Sequence, residues 1–297
     1  MKTKFKSIIR ATGHSFVGAV LLIVSSASAQ NLFESNQFTD GFTGSIYEFT
    51  PGGARSTFAS GLELPTGLAF NSAGDLFEAD LGSSSINIFT PSGAQSTFAS
   101  RVDNPIGLAF NSAGDLFAAT HSGIIEFTPG GARSTFASGF NRPWGLAFNS
   151  AGVLFATDIN SDTIYEFTPG GVRSTFASGL NGPAGLAFNS TGDLFVADYY
   201  SDTIYEFTPG GVRSTFASGL NGPAGLAFNS AGVLFEVDGI SGNIYEFTPG
   251  GVRSTFASTG LAEPVMIAFE PVPEPSVLGL LAVGVTALLV RRRNLSA

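Results

Sequence analysis

Short apolar runs alternate with polar, glycine-rich breaks along most of the chain, and the alternation itself repeats. The run Gly-Leu-Ala-Phe begins at Gly67, Gly107, Gly145, Gly185 and Gly225, with a decayed copy at Val265-Met266-Ile267-Ala268-Phe269; the spacings are 40, 38, 40, 40 and 40 residues. Segments 161–190 and 201–230 are identical. Within the copy from Gly185 to Leu220, Gly185–Phe188, Leu194–Asp198, Ile204–Phe207 and Arg213–Ala217 are each too short for a helix but suit strands, with Ile204 and Glu206 on one face and Tyr205 and Phe207 on the other. Asn189–Asp193 and the Pro209-Gly210 pair predict tight turns, the second a type II turn with Gly210 in the left-handed conformation. Each unit therefore reads as an antiparallel meander of four strands.

The period and the ends of the array determine how the units assemble. Repeats of about forty residues cannot bury their own apolar faces and must stack. Of the 29 phenylalanines, 24 fall at four fixed positions of six copies, as in Phe188, Phe195, Phe207 and Phe216. That gives one large side chain per strand for packing between units. The array begins at Asn31-Leu32-Phe33, which aligns with the second strand of a unit, and ends at Val265–Phe269, which aligns with the first. An open array has no need of that offset, whereas a ring closed by strands from both ends requires it. The expected fold is all-β, a six-bladed β-propeller of four-stranded antiparallel blades.

Both ends of the chain differ from this body, which is expected to span 30–271. Residues 1–29 carry Lys2, Lys4, Lys6 and Arg10, an apolar stretch from Phe16 to Val24 and small residues at Ala27-Ser28-Ala29, the layout of a secretory signal peptide. Residues 272–297 hold Pro273-Glu274-Pro275, fifteen mostly apolar residues from Ser276 to Val290, and Arg291-Arg292-Arg293. This tail resembles the PEP-CTERM sorting signal of Gram-negative bacteria that make exopolysaccharide. The resemblance implies recognition of Pro273, Glu274 and Pro275 by an exosortase-type protease and a short transmembrane helix that anchors the chain transiently in the inner membrane. The protein is then expected to be exported to the outer surface or extracellular matrix, touching membrane only through that helix before processing.

Composition narrows the partners. The formal net charge is −9, and the body contains seven arginines and no lysine, which excludes nucleic acid as a natural partner. Absence of cysteine removes disulfides and thiolate metal sites.

The unit itself carries Pro-x-Gly before its first strand, Gly-Asp-Leu-Phe-x-x-Asp in the second and Ile-Tyr-Glu-Phe-x-Pro-x-Gly after it. From Leu32 to Phe269 the chain resembles NHL repeats and the six-bladed superfamily of gluconolactonase-like enzymes and streptogramin lyases. The first enzyme group implies a divalent metal held by acidic and amide side chains near the start of the innermost strands. Here those positions are Thr66, Ile106, Trp144, Ala184, Ala224 and Val265, none of them a carboxylate or amide, and Asn104 is the only amide directly before one of the prolines. The second group implies a histidine with acidic residues around magnesium, but the body has only His121. No metal and no cofactor are expected.

Candidate function lies where copies differ. Trp144 is the only tryptophan, with Arg142 beside it, and Tyr199-Tyr200 occupies the matching loop of the next unit; with His121 these form the candidate ligand-binding set. Flat aromatics beside polar groups suit sugar rings. Glu34, Glu78 and Glu236 share one column in which the other copies carry Ala118, Ala156 and Val196, and are expected to be separate solvated or hydrogen-bonded carboxylates. Asp80, Asp158, Asp198 and Asp238 end second strands and are expected to accept hydrogen bonds from the loop that follows. Asp158-x-Asn160-x-Asp162 has calcium-like spacing but lacks the glycine and downstream glutamate of the known loop. The resulting expectation is a non-enzymatic binding or scaffold propeller with a glycan or protein ligand. The alternative is a lyase or hydrolase of the same superfamily with a diverged site in the central channel.

Overall fold

The computed structural model describes residues 30–38, 43–258 and 263–272. The described residues form six antiparallel sheets of four strands each. Blade 1 combines Pro264–Phe269 as its innermost strand with Leu32–Asn36, Gly44–Phe49 and Arg55–Leu62, so the last strand of the chain pairs with the first. Blades 2 to 6 follow as continuous segments 65–100, 108–138, 143–178, 183–218 and 223–258. The offset read at the two ends is thus the closure of the ring. Because each blade is a meander, its two hairpin turns lie on one face of the disc, and its other loops, including those between blades, lie on the opposite face.

The repeated phenylalanines form one cluster at every blade junction. In the junction of blades 5 and 6, Phe195 makes edge contacts with Phe216 of its own blade at 4.9 Å and with Phe228 of the next at 5.0 Å, while Phe216 meets Phe247 at 5.7 Å. The closing junction repeats the set: Phe235 lies 5.0 Å from Phe256 and 4.9 Å from Phe269, and Phe256 lies 6.2 Å from Phe49. Edge-to-face pairs of this kind each add about 0.5–1.5 kcal/mol beyond area burial. A bulge aims the fourth ring: Ile204 pairs with Ala217 but Tyr205 with Thr215, so Phe216 is the extra residue and turns toward the neighbouring blade.

Glycine sets the diameter of the ring. A Cβ on Gly107 would lie 2.0 Å from the Trp144 carbonyl oxygen, and one on Gly185 would lie 2.2 Å from that of Ala224. Adjacent innermost strands therefore touch backbone to backbone, which explains the glycine of Gly-Leu-Ala-Phe.

One local expectation is corrected and a second holds only in part. Gly211, not Gly210, has the positive φ, of 81°, and its N–H donates to the Thr208 carbonyl at 2.8 Å while the Thr208 N–H donates to that of Val212 at 3.0 Å. This is a three-residue hairpin loop, a tight turn followed by one left-handed glycine that matches the strand twist, rather than a type II turn. The strand-ending aspartates bond chiefly to the loop that enters their blade: Asp158 accepts from the Asn141 and Arg142 amides, both at 2.8 Å, and Asp198 from Asn181 at 2.8 Å. Bonds from the following loop exist too, to Asp80 from Ser83 at 2.9 Å and to Asp238 from Ser241 at 3.0 Å.

Candidate functional site

Five of the six Pro-x-Gly residues are buried: Thr66, Ile106, Ala184, Ala224 and Val265. Trp144 is partly exposed and departs from this rule because its ring is too large for the space its counterparts fill. The Arg142 guanidinium sits 5.0 Å from the centre of the Trp144 ring, within cation–π range, and the Arg142 amide is fixed by Asp158. The indole Nε1 is shielded from solvent and has no hydrogen-bond partner, so the part of the ring that remains exposed offers aromatic carbon surface.

On the same face, the 3₁₀ turn Tyr199–Ser201 of blade 5 presents two tyrosines whose ring centres are 5.1 Å apart at 86°. Tyr200 is 63% exposed and packs over Gly182 of its own blade. Tyr199 leans toward blade 6 and covers Gly222, and burial pushes its phenol up, with Tyr200 adding to the effect. Glycine at 222 is required here, since its φ is 71° and a Cβ would lie 3.0 Å from the Tyr199 ring. The candidate set thus resolves into an Arg142–Trp144 pair on blade 4 and a Tyr199–Tyr200 pair on blade 5. His121 is exposed in the blade 3 loop, where its backbone N–H donates to the Asp103 carbonyl at 3.1 Å.

The central channel is narrow and is lined by uncharged residues. A cavity of about 90 Å3 lies on the axis, lined by the glycines and leucines of the innermost strands together with Met266 and Ile267. Met266 occupies the glycine position of the decayed copy and projects the one long side chain into that ring. No ionisable residue lines the cavity, and among the described residues no group of three or more histidine, aspartate or glutamate side chains is placed to hold a metal ion. The calcium-like spacing has another use: Asp162 accepts from the Gly182 amide at 2.9 Å and, with Asp198, ties down the loop between blades 4 and 5.

The glutamate column is the main surprise. Glu34, Glu78 and Glu236 are all completely buried, so of the solvated or hydrogen-bonded carboxylates expected none is solvated and Glu78 is the one with a hydrogen bond. Both carboxylate oxygens of Glu34 and Glu236 lack partners, as does Oε1 of Glu78, whose Oε2 accepts from Asn87 Nδ2 at 2.9 Å. Each shares a strand face with a core leucine, Leu32, Leu76 or Leu234, and so points toward the preceding blade. They occupy three separate junctions and form no shared site. Burial holds the Glu34 carboxyl well above the usual carboxylate range against the pull of Arg55. It pushes Glu78 up to about 8, opposed by the Asn87 bond and reinforced by Asp80, and raises Glu236 well up, reinforced by Asp238 and opposed by Arg253. The repeat alignment identified the column, but a sequence does not reveal how closely the blades pack over it.

Comparison with known proteins adds two findings. Residues 271–293 match the PEP-CTERM protein-sorting motif. The tail carries this export signal. Pro273, Glu274 and Pro275, the apolar segment after them and the signal-peptide layout of 1–29 lie outside the described residues, among which no helix is long and apolar enough to cross a membrane. No curated protein matches the chain in sequence. Among solved structures, a chain of a nidogen–laminin complex is similar with a TM-score of 0.72 at 20% identity, over 82% of this chain and 98% of that one. A streptogramin B lyase is similar at 0.62 and 15% identity, covering 81% and 95%. A gluconolactonase from Xanthomonas campestris is similar at 0.61 and 19% identity, covering 68% and 78%. Identities this low establish the six-bladed fold and leave the chemistry to the residues of this chain.

Proposed function

We propose that this chain is an exported, non-enzymatic propeller that acts as a binding or scaffold element at the cell surface or in the exopolysaccharide matrix. The central channel is the main support. The start of the innermost strands, where the resemblance implies acidic and amide metal ligands, carries Thr66, Ile106, Trp144, Ala184, Ala224 and Val265, and the small cavity on the axis is lined by glycine, leucine, Met266 and Ile267 without an acid, base or nucleophile. Near-identical blades point the same way, since a scaffold tolerates interchangeable units and a catalytic site needs a unique cluster. On the loop face, the partly exposed ring of Trp144, Arg142 stacked on it and the exposed Tyr200 offer apolar surface beside hydrogen-bonding groups, the chemistry of a glycan or protein ligand. The sorting motif supports handling by an exosortase-type protease, with the tail as a transient anchor.

Incubation of the full chain with gluconolactone and with a streptogramin B, in the presence of magnesium or manganese, is expected to give no turnover. Turnover abolished by a chelator would overturn the non-enzymatic reading. Retention on the host's exported polysaccharide that is lost on Trp144→Ala would establish the loop-face patch as its ligand site.

A further inference from the structure

The hairpin-turn face, opposite the Trp144 patch, carries a cavity that recurs with the repeat. One of about 330 Å3 lies between blades 1 and 2, one of about 400 Å3 between blades 2 and 3, and one of about 520 Å3 between blades 3 and 4. These volumes fall in the range of roughly 300–1,000 Å3 typical of small-molecule sites. The three are copies of one design. Each is lined by a trio of phenylalanines, respectively Phe33, Phe58 and Phe70; Phe77, Phe98 and Phe110; and Phe117, Phe136 and Phe148. In every trio a buried central ring meets the other two edge-on at 5.0 to 5.1 Å, and the outer two rings are only partly buried. The aromatic edges and faces left over are available to a guest.

Polar groups complete the wall. Each cavity is bordered by the Thr-Pro of the next blade's hairpin turn, Thr90-Pro91, Thr128-Pro129 or Thr168-Pro169. Thr128 and Thr168 accept the Ala132 and Val172 amides at 3.2 Å through their hydroxyl oxygens, so their hydroxyl protons can be donated outward. Asn111 and Ser112 border the cavities on both sides of blade 3. Charge selects among guests: the middle cavity has no ionisable residue in its lining, and the outer two have only glutamates, Glu48 with Glu270 and Glu126. An anion would meet no counter-charge, and a cation would find none in the middle site. A neutral polyol satisfies all three, with apolar C–H faces on the rings and hydroxyls on the threonine and backbone groups.

We infer that the junctions between blades 1 and 4 are three equivalent binding sites for neutral hexose units, which let the propeller grip a neutral polysaccharide multivalently from its hairpin-turn face. The inference rests on the binding reading above and names its ligand class. Three linked weak sites on one rigid face raise avidity by about 10²–10⁴-fold over one site when a single polymer spans them.

The test uses the full chain in a zwitterionic, non-glycosidic detergent. Methyl glycosides of glucose, galactose and mannose, and neutral tetrasaccharides of each, are screened by saturation-transfer NMR, and any that respond are titrated calorimetrically. Three exposed turn residues that border the cavities, Ser92, Ala113 and Ala151, are replaced by tryptophan singly and together to fill the sites from outside the core. The expected result is saturation transfer to at least one neutral sugar, stoichiometry falling by about one site per substitution, and at least a tenfold loss of affinity in the triple variant with an unchanged melting temperature. Absence of transfer to every sugar, or binding that survives the triple variant, would overturn it. Binding that survives the triple variant but disappears on Trp144→Ala would overturn this site and leave the binding reading intact, whereas consumption of a sugar in the same tubes would overturn the non-enzymatic reading instead.

Discussion

The two halves of the ring share a backbone and differ in what their junctions bury. Junctions 2/3, 3/4 and 4/5 place Ala118, Ala156 and Val196 at one position of the repeat, packed among buried apolar side chains. Junctions 5/6, 6/1 and 1/2, the half of the ring in which it closes, place Glu236, Glu34 and Glu78 at the same position with five carboxylate oxygens unpaired. The phenylalanine clusters are the same in both halves, so the repeat geometry tolerates a substitution that is costly in energy. A buried polar group without a partner costs about 1–3 kcal/mol, and more when charged. The closing half is therefore the weaker half, and its weakness depends on pH.

The largest effect should come from making the halves alike. Val196→Glu puts an unpaired carboxyl into junction 4/5 and is expected to destabilise by about 3–5 kcal/mol, as removing one partner of a buried ion pair does. Denaturant melts would measure it, and Val196→Gln at the same sites of measurement isolates the charge; equal losses for both at pH 9 would show that size rather than ionisation is responsible.

Next in size is the pH response of the unaltered chain. A carboxyl whose folded pKa is raised binds its proton more tightly when folded, so its stabilisation is complete below the unfolded value near 4.5 and is lost as pH rises through the folded value, about 8 for Glu78. Glu34 and Glu236 shift in the same direction. Stability should fall by about a few kcal/mol between pH 5 and pH 9, with Glu78 contributing as its carboxyl ionises near its raised value of about 8. Thermal melts across that range should show the fall, and the triple variant Glu34→Gln, Glu78→Gln, Glu236→Gln should flatten it. A slope that persists in the triple variant would assign the response to other groups.

Asn87→Leu removes the one hydrogen bond these carboxyls make and should cost about 1–3 kcal/mol, whereas the equivalent position in an apolar junction, Ile125, should tolerate leucine within about 1.5 kcal/mol. The smallest effect belongs to the exposed face: Trp144→Ala should change stability by about 1 kcal/mol or less, since it removes a partly exposed ring and one cation–π contact. A larger loss in a chemical melt would make Trp144 a structural wedge rather than a ligand contact.

Much of this molecule could be read from its repeats. Four strands per unit, phenylalanine at every junction and closure by Pro264–Phe269 on Leu32–Asn36 follow from period, pattern and offset, because a repeated unit must stack to bury its faces and the offset of the two ends selects the ring over an open array. The candidate patch was legible only as departures from the repeat, and its two pairs proved to be fixed by different supports, Asp158 under Arg142 and the glycines under the tyrosines. Burial of the glutamates, the choice of Gly211 over Gly210 and the direction of the aspartate bonds were not legible. Each depends on what a neighbouring element places within a few ångströms.

The amino-acid sequence by itself determined the number of blades, their strand order, the ring closure and the export signal at the tail, since all of these are carried by local pattern and chain order. Tertiary structure alone decided how wide the channel is, which carboxyls lose their water and where cavities open between blades. Those properties arise only when innermost strands meet backbone to backbone and six nearly equal wedges are pressed into one closed disc, a condition that no single repeat contains.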